Sequence, residues 1–355
     1  GNDDIIFDGS SFAVNRKGDL IQVLASFETD LAVLEYDAAK QDLVGSNQQS
    51  AAGIEAAPLS FYPAVGDAEI WAALVLGVRD YVRKCGFSKV VLGLSGGIDS
   101  ALVAAIATCA IGHENVLGVL MPSPYSSDHS VNDALELARN LGIAIEQLPI
   151  GDLMKTYDRT LADLFVNTTF GIAEENIQSR IRGNLLMAIS NKFGHLLLTT
   201  GNKSEMSVGY CTLYGDMNGG LAVISDVPKT RVYSLCRWLN TEFEGGKDDA
   251  QLEKEIIPVN IINKAPSAEL KPGQVDQDSL PAYDVLDDIL QRFIEHHESA
   301  QQIIAAGHDE AVVKRVVKLV TQAEFKRRQA APGLKISDRA FGTGWRMPIA
   351  KVSSY

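Results

Sequence analysis

Ser95-Gly96-Gly97-Ile98-Asp99-Ser100 joins two apolar runs, Val90-Val91-Leu92-Gly93-Leu94 before it and Ala101 to Ala110 after it. A buried strand, a glycine turn and a helix start, in that order, make a seat for phosphate. Glycine lets the backbone approach an anion and accepts positive φ, and the free N–H groups of a first helical turn point at that anion. A Walker-type loop would read GxxxxGK[ST] and bring a lysine. This turn has none, and Asp99 stands where the helix begins. A carboxylate beside a polyphosphate repels it unless a cation intervenes, so Asp99 implies Mg²⁺. The plainer alternative is a helix start capped by Asp99 and Ser100. Two adjacent glycines in such a turn are costly without a close ligand, which favours the phosphate seat.

The surrounding chain has 355 residues, 46% of them hydrophobic, enough for two domains with real cores. No segment approaches the roughly eighteen uninterrupted apolar residues of a membrane helix, and no secretory signal is visible, so a cytoplasmic protein without a membrane partner is expected. Cys85, Cys109, Cys211 and Cys236 are far apart with no CxxC pair, which argues against a disulfide framework or zinc site and for reduced packing residues. A formal charge of −13 disfavours nucleic acid as a partner. The charge is concentrated early: residues 1–64 hold ten acidic residues against Arg16, Lys17 and Lys40.

From residue 67 onward, helical and strand patterns alternate. Ile70, Leu74, Val78, Tyr81 and Val82 mark a helix over Asp67–Lys84. Buried strands are expected at 89–94, 116–121, 143–148 and 195–200, and helices at 99–111, 128–141, 152–165, 174–193 and 229–240. Two more helices, near 282–298 and 309–328, close the pattern. Such alternation predicts an α/β fold: a doubly wound, mostly parallel sheet with helices on both faces and the ligand at the strands' carboxyl ends. Residues 244–255 form a charged insertion, read as a surface loop. Before residue 38 short runs (Ile5-Ile6-Phe7, Phe12-Ala13-Val14, Leu20–Leu24, Leu31–Leu34) alternate with turns, and 38–64 reads as a linker. So few strands cannot bury a core alone.

A second phosphate-sized cluster follows the strand Leu196-Leu197-Leu198: Thr199-Thr200-Gly201-Asn202-Lys203-Ser204-Glu205. Two such strand ends can meet over one ligand. Thr200 could then hydrogen-bond a nucleotide and Glu205 join Asp99 on Mg²⁺; a capped helix with solvated Lys203 and Glu205 is an equally open reading. Arg180 and Arg182 open a long helix and point apart, so one can bind an anion while the other pairs locally. The stripe Ile181, Leu185, Ala188 and Ile189 is core or a subunit interface. Lys229 begins a helix behind Pro228, where a lysine opposes the dipole, a hint that it faces an anion. Lys326-Arg327-Arg328 ends a helix, where cations suit the dipole. Asp276, Asp278, Asp284, Asp287 and Asp288 read as solvated or capping, and His296-His297 as exposed.

The hexapeptide 95–100 resembles the SGGxDS pyrophosphate-binding PP-loop of the ATP-pyrophosphatase superfamily. Further strings narrow the resemblance: Glu175–Gly183 (ENIQSRIRG), Leu198–Glu205 (LTTGNKSE), Tyr214-Gly215-Asp216-Met217, Asp226-Val227-Pro228-Lys229-Thr230, Ala265–Leu270 (APSAEL), Asp276–Leu280 (DQDSL) and Glu324–Arg328 (EFKRR). From about residue 67 onward they are similar, in order, to the NAD synthetases, and LTTGNKSE is the wording of the glutamine-dependent form. The resemblance implies a synthetase domain over 65–355 in which Gly93, Leu94, Ser95, Gly96, Gly97, Ile98, Asp99 and Ser100 hold the ATP phosphates. It puts Thr200, Lys229 and Ser267 at ATP-contacting positions and Asp99 and Glu205 at magnesium positions. Asn176, Arg180, Glu205 and Lys326 fall where deamido-NAD is held, whereas the family's aspartate after the YGD turn is replaced by Gly220.

The implied reaction converts deamido-NAD to NAD through an acyl-adenylate, releasing AMP and pyrophosphate, with Asp99 and Lys229 as the catalytic pair. The ammonia would come from glutamine. Asn2–Phe12 (NDDIIFDGSSF) resembles the late strands of the nitrilase-like glutaminase domain of these ligases. Residues 1–64 are therefore expected to be the tail of that domain plus a linker, without its Glu–Lys–Cys triad. The family's habit and the stripe on 174–193 suggest a homo-oligomer, at least a dimer. Segments 203–227 and 264–281 are expected to be long loops that order with ligand. The competing readings are another adenylating amidotransferase or thiolase, and an inactive ATP-binding module.

Overall fold

A computed structural model describes residues 1–44, 66–242, 255–271 and 273–351. The expected linker beyond residue 44 and nearly all of the charged insertion 244–255 lie outside the described residues.

Four short strands precede the main body. β1 (Phe12–Val14) and β2 (Leu20–Val23) pair antiparallel, as do β3 (Glu35–Asp37) and β4 (Asp42–Val44). The second hairpin corrects the reading of Leu31–Leu34 as a strand and of 38–44 as linker. Its position is set by the turn: Asp37 Oδ1 accepts from Ala39 N at 2.9 Å and Lys40 N at 3.1 Å, and Gln41 takes φ 52. That local chemistry outweighs the apolar run, and Leu31 is left 88% exposed. Residues 5–7 make an isolated bridge at Ile5 rather than a strand. Ile6 packs on the main core, and Asp4 O accepts from Lys335 N at 2.8 Å.

The main body opens with α1 (Asp67–Lys84), then β5 (Val90–Gly93), α2 (Ile98–Ile111), β6 (Val116–Leu120), α3 (Asp128–Leu141), β7 (Ala144–Gln147), α4 (Gly151–Leu161), α5 (Ile172–Phe193) and β8 (Leu196–Thr199). The segment 203–227, expected as a loop, holds α6 (Lys203–Val208) and a fifth sheet strand, β9 (Leu221–Ala222). Then follow α7 (Lys229–Thr241), α8 (Val259–Asn263), α9 (Tyr283–Leu290), α10 (Ala300–Ala305), α11 (Glu310–Gln322) and α12 (Glu324–Arg327). The helix expected over 282–298 is shorter, because α9 passes into a π-helical turn at Gln291–Glu295. No described helix is long and apolar enough to cross a membrane.

The sheet order is β7-β6-β5-β8-β9, all parallel. Alternation along β5 decides the layers: Val90 and Leu92 face a core with α1, α2, α3 and α7, whereas Val91 faces Ile181 and Leu185 of α5. Val90, Val91 and Leu92, each fully buried, stabilise the fold by about 2 kcal/mol apiece. A third apolar cluster joins α9, α10 and α11. The chain steps from β5 toward β7 and then returns to β8 on the other side, so a crevice opens between the ends of β5 and β8.

Candidate active site

The glycine turn sits at the end of β5. Gly96 has φ 72, and a Cβ there would lie 2.2 Å from Ser130 O, so glycine is required on both counts. Ser95 and Ser100 close the turn from within: their hydroxyls are 3.1 Å apart, and Ser100 Oγ donates to Gly97 O at 3.0 Å. The N-cap of α2 is Gly97, and no side chain caps it, which leaves the first-turn N–H groups for a ligand. The alternative of Asp99 and Ser100 as capping residues is thereby set aside.

Asp99 instead reaches the neighbouring strand end. Its Oδ2 forms an ion pair with Lys229 Nζ, and its Oδ1 accepts from Asn202 Nδ2 at 2.9 Å. Asn202, fully buried, is also the N-cap of α6: its Oδ1 accepts from Glu205 N at 3.0 Å, and Glu205 Oε2 accepts from Asn202 N at 3.2 Å. This reciprocal box locks Glu205 beside Asp99. Sequence reading gave Asn202 no role, although Asn202-Lys203-Ser204-Glu205 carries the spacing of a capping box.

Lys229 is 2% exposed at the start of α7, with its Nζ 5.4 Å from the Tyr283 ring centroid. Burial opposes its charge, but Asp99 and Glu205 more than offset this and hold it protonated. Burial, then Asp99, pushes the Glu205 carboxyl well above its usual range. Two carboxylates held against one ammonium suit a hard divalent cation that takes its remaining oxygens from phosphate and water. Among the described residues no three His, Cys, Asp or Glu side chains converge as a ready metal cage. Asp99 and Glu205 alone could supply only part of a cation's oxygens.

Several residues read as solvated support this floor. Asp287 Oδ2 accepts from Thr230 N at 2.9 Å and Thr230 Oγ1 at 2.8 Å, and Asp287 Oδ1 accepts from Ser204 Oγ. Ser204 Oγ in turn accepts from Lys229 N at 2.8 Å. Asp276 is buried, with its carboxylate on Tyr283 Oη at 2.8 Å. Lys203 is not solvated either. It is 4% exposed, between Asp226 at 3.0 Å and Glu295 at 2.8 Å.

The cavity over this floor measures about 420 Å³ and is lined by Gly93, Leu94, Ser95, Gly97, Ile98, Asp99, Ser100, Thr200, Glu205, Lys229 and Ser267. Gly96 does not line it and acts through its conformation. Asn176 and Lys326 stand on the far wall: Asn176 Oδ1 accepts from Thr212 Oγ1 at 2.9 Å, and Lys326 Nζ donates to Gly209 O and Cys211 O, both at 2.7 Å. Gly183 of α5 lets the turn carrying Asp216 approach, since a Cβ there would meet Gly215 O at 2.6 Å. Arg180 is exposed outside the cavity, its Nε on Leu213 O at 3.3 Å, whereas Arg182 lines it and donates to Met121 O at 3.0 Å.

Arg327 is structural, bound to Glu324 at 3.0 Å and to the carbonyls of Ser207 and Val320 at 2.7 Å. Gly220 lies at the sheet edge, with its N–H on Leu197 O. Two cysteines expected to be packing residues, Cys85 and Cys109, are exposed; Cys236 is buried and Cys211 borders the cavity.

Over the cavity, Glu269 Oε1 accepts from Ser127 Oγ at 3.0 Å, Ser130 Oγ at 2.7 Å and Lys264 Nζ at 2.9 Å. These bonds clasp the segment carrying Ser267 to the first turn of α3. The Ser267 hydroxyl itself donates to Gln274 O.

Comparison with known proteins agrees with this architecture. The chain is 62% identical over 352 residues to a glutamine-dependent NAD(+) synthetase of Synechocystis sp., covering 99% of this chain and 59% of the relative. It is 48% identical over 369 residues to the Thermotoga maritima protein of that name, covering 98% and 62%. Among solved structures, glutamine-dependent NAD+ synthetase from Acinetobacter baumannii in complex with ADP superposes with TM-score 0.65 at 44% identity, covering 98% of this chain and 60% of that one. The chain thus spans about three fifths of the length of the curated relatives it matches. Residues 70–330 match the family model described as NAD synthase, a stretch that runs from α1 through the glycine turn, Asp99, Glu205 and Lys229 to Lys326, and the chain belongs to the NAD synthase family.

Proposed function

We propose that this chain carries out ATP-dependent amidation of deamido-NAD (nicotinate adenine dinucleotide) to NAD, the ligase chemistry that forms a C–N bond. The observation that supports it best is the Asp99–Lys229–Asn202–Glu205 cluster directly beneath an uncapped glycine turn, in a cavity whose far wall holds Asn176 and Lys326. The ADP in the Acinetobacter relative supports ATP as the nucleotide. In this reading residues 93–100, Thr200, Lys229 and Ser267 hold ATP, and Asn176, Glu205 and Lys326 hold deamido-NAD. Residues 65–355 are the synthetase domain, and 1–64 the tail of a glutaminase domain with its linker.

A nicotinate carboxylate oxygen attacks the α-phosphorus of ATP, the bond to the β-phosphate oxygen breaks and pyrophosphate leaves. Ammonia then attacks the acyl carbonyl, AMP departs and the nitrogen loses a proton to solvent. The chain's residues act by placement and charge. Lys229 and the first-turn N–H groups of α2 neutralise the phosphoryl oxygens, while Asn202 keeps Asp99 oriented. Asp99 and Glu205 would hold Mg²⁺, which offsets phosphate charge as the leaving group departs. No enzyme nucleophile is required.

The relatives are named glutamine-dependent, and in this reading the site takes up the ammonia that glutamine hydrolysis supplies, or free ammonia directly. A homo-oligomer in the cytoplasm completes the reading. Exposed Leu164, Val166, Phe170 and Ile172 beside α5 support it, as does the outward position of Arg180, which a second copy would turn toward a substrate.

The test is AMP and pyrophosphate formation with and without deamido-NAD, followed by NAD formation with ammonium or glutamine. Pyrophosphate that depends on deamido-NAD, and NAD that depends on ammonium, are expected. Nucleotide binding without pyrophosphate would point to a regulatory module, and glutamine-driven NAD formation by this chain would overturn the reading of 1–64 as a tail.

A further inference from the structure

The floor of the cavity carries a third carboxylate that the reaction described above leaves unused. Asp276 is 3% exposed and opens the short 3₁₀ turn Asp276–Asp278. Its Oδ2 is held by Tyr283 Oη and the Tyr210 hydroxyl also bears on the carboxylate, while Oδ1 itself is buried with no partner at hydrogen-bond distance. Four buried side-chain polar atoms among the described residues lack a partner. The other three belong to Gln178, His195 and Thr321, none of which lines the cavity; Asp276 does. A buried carboxylate oxygen facing a ligand cavity without a donor is a seat for one that arrives with the ligand.

Charge says what kind of donor. With all groups ionised, Asp99, Glu205 and Asp276 carry three negative charges against one positive charge on Lys229, and the difference of two matches one divalent cation. The three carboxylates do not converge as a joint cage, so Asp276 is not a direct ligand beside Asp99 and Glu205. Mg²⁺ keeps several of its waters when protein-bound, and those waters are hydrogen-bond donors.

We propose that Asp276 is a positioning residue of the cation site: its free Oδ1 accepts a hydrogen bond from the hydration shell of the Mg²⁺ that Asp99 and Glu205 hold, and so fixes the ion beneath the triphosphate. Tyr283 sets the direction of the carboxylate by holding its other oxygen. Because Asp276 N donates to Pro266 O at 3.0 Å, the same turn ties the ion to the segment bearing Ser267 on the nucleotide side. The inference rests on the cation site of the proposed function.

Mn²⁺ tests it, since water-proton relaxation and electron paramagnetic resonance report both its affinity and its bound waters. Mn²⁺ is titrated into the 355-residue chain and its variants, with a non-hydrolysable ATP analogue present, and the analogue is titrated separately without metal. Asp276→Asn is expected to weaken Mn²⁺ about tenfold or more, as partners of metal ligands do. It should also change the relaxation of the bound waters and leave metal-free nucleotide affinity intact. Asp278→Asn, altering an exposed acid that only caps its own turn, should match wild type.

Wild-type Mn²⁺ affinity in Asp276→Asn overturns the proposal, as does a loss confined to metal-free nucleotide binding, which would make Oδ1 a ribose acceptor. Should Asp276→Asn fail to fold, Tyr283→Phe decides: a smaller loss of Mn²⁺ affinity supports the role and none refutes it. Asp99→Asn separates the two levels. If it too leaves Mn²⁺ binding unchanged, the cation site itself is wrong; if it alone weakens binding, only the role of Asp276 falls.

Discussion

Gly96→Ala tests the phosphate seat most directly. The added methyl would lie 2.2 Å from Ser130 O and 2.8 Å from both Ser130 C and Cα, all backbone atoms in the first turn of α3. Carbon contacts are ordinarily about 3.5 Å or longer, so the overlap exceeds about 1 Å and no side chain can rotate away to relieve it. The residue also sits at φ 72, where alanine costs about 1 kcal/mol more than glycine. Adding about 2 kcal/mol for overpacking gives a loss of about 3 kcal/mol. For a domain of this size that is a fall in Tm of about 5 °C.

Gly97→Ala, one residue on, is the control. Its φ is −99 and its Cβ would meet only Ser95 Oγ at 3.1 Å, so a loss within about 1 kcal/mol is expected. Thermal melts followed by pyrophosphate release from ATP and deamido-NAD separate the two. Gly96→Ala should also lose about 10²-fold in rate, because relief of the clash moves the turn off the phosphates. A Gly96→Ala protein that melts and turns over like wild type, or a Gly97→Ala protein that is the less stable of the two, would refute the argument.

Asp99→Ala should lower pyrophosphate release by about 10²-fold or more, and leaves the buried Lys229 ammonium without its carboxylate; near-normal release would rule out a metal role. Burial works against ionisation of Glu269, but Ser130, Lys264 and Ser127 outweigh it and hold the carboxyl below its ordinary value of 4.5. A depressed acid stabilises the fold above its unfolded value and loses that contribution as pH falls through the lower folded one. The segment 264–270 should therefore lose hydrogen-exchange protection in acid below about pH 4.5. Glu269→Gln should flatten that response, and a wild-type protection profile that does not change with acidification would count against the clasp. Arg327→Met strands the buried Glu324 and the last carbonyls of α6, at a cost of about 3–5 kcal/mol. Arg327→Lys should recover only part of this, because one ammonium cannot span those acceptors; full recovery of Tm would contradict it.

What could be read from the sequence was what the chain settles locally. Val90–Gly93, the glycine turn and the helix after it are adjacent, so their order was visible, and Lys229 betrayed itself by opposing a helix dipole. The failures came where distant segments decide. Asp276 and Asp287 stand in an acidic run that looks solvated, and only Tyr283, Ser204 and Thr230, brought in by folding, make them interior groups. Helical spacing showed that Arg180 and Arg182 diverge but not which faces inward, and the cavity takes Arg182. Asn202 was legible in principle, as the first residue of a capping box, and was passed over in favour of its charged neighbours.

The strand order has a consequence for how the molecule comes to be. Val90 pairs with Leu196, partners 106 residues apart (196 − 90), so the centre of the sheet stays half-zipped until much of the polypeptide is in place. Pairings of such long range are slow to nucleate and leave apolar edges uncovered meanwhile. The segment from β5 to β7 can gather early, during synthesis, but Asn202 and Lys229 reach Asp99 only after β8 slots in. The Asp99–Asn202–Lys229 cluster is therefore among the last features this chain assembles, and an arrested or truncated product would display a half-built sheet without it.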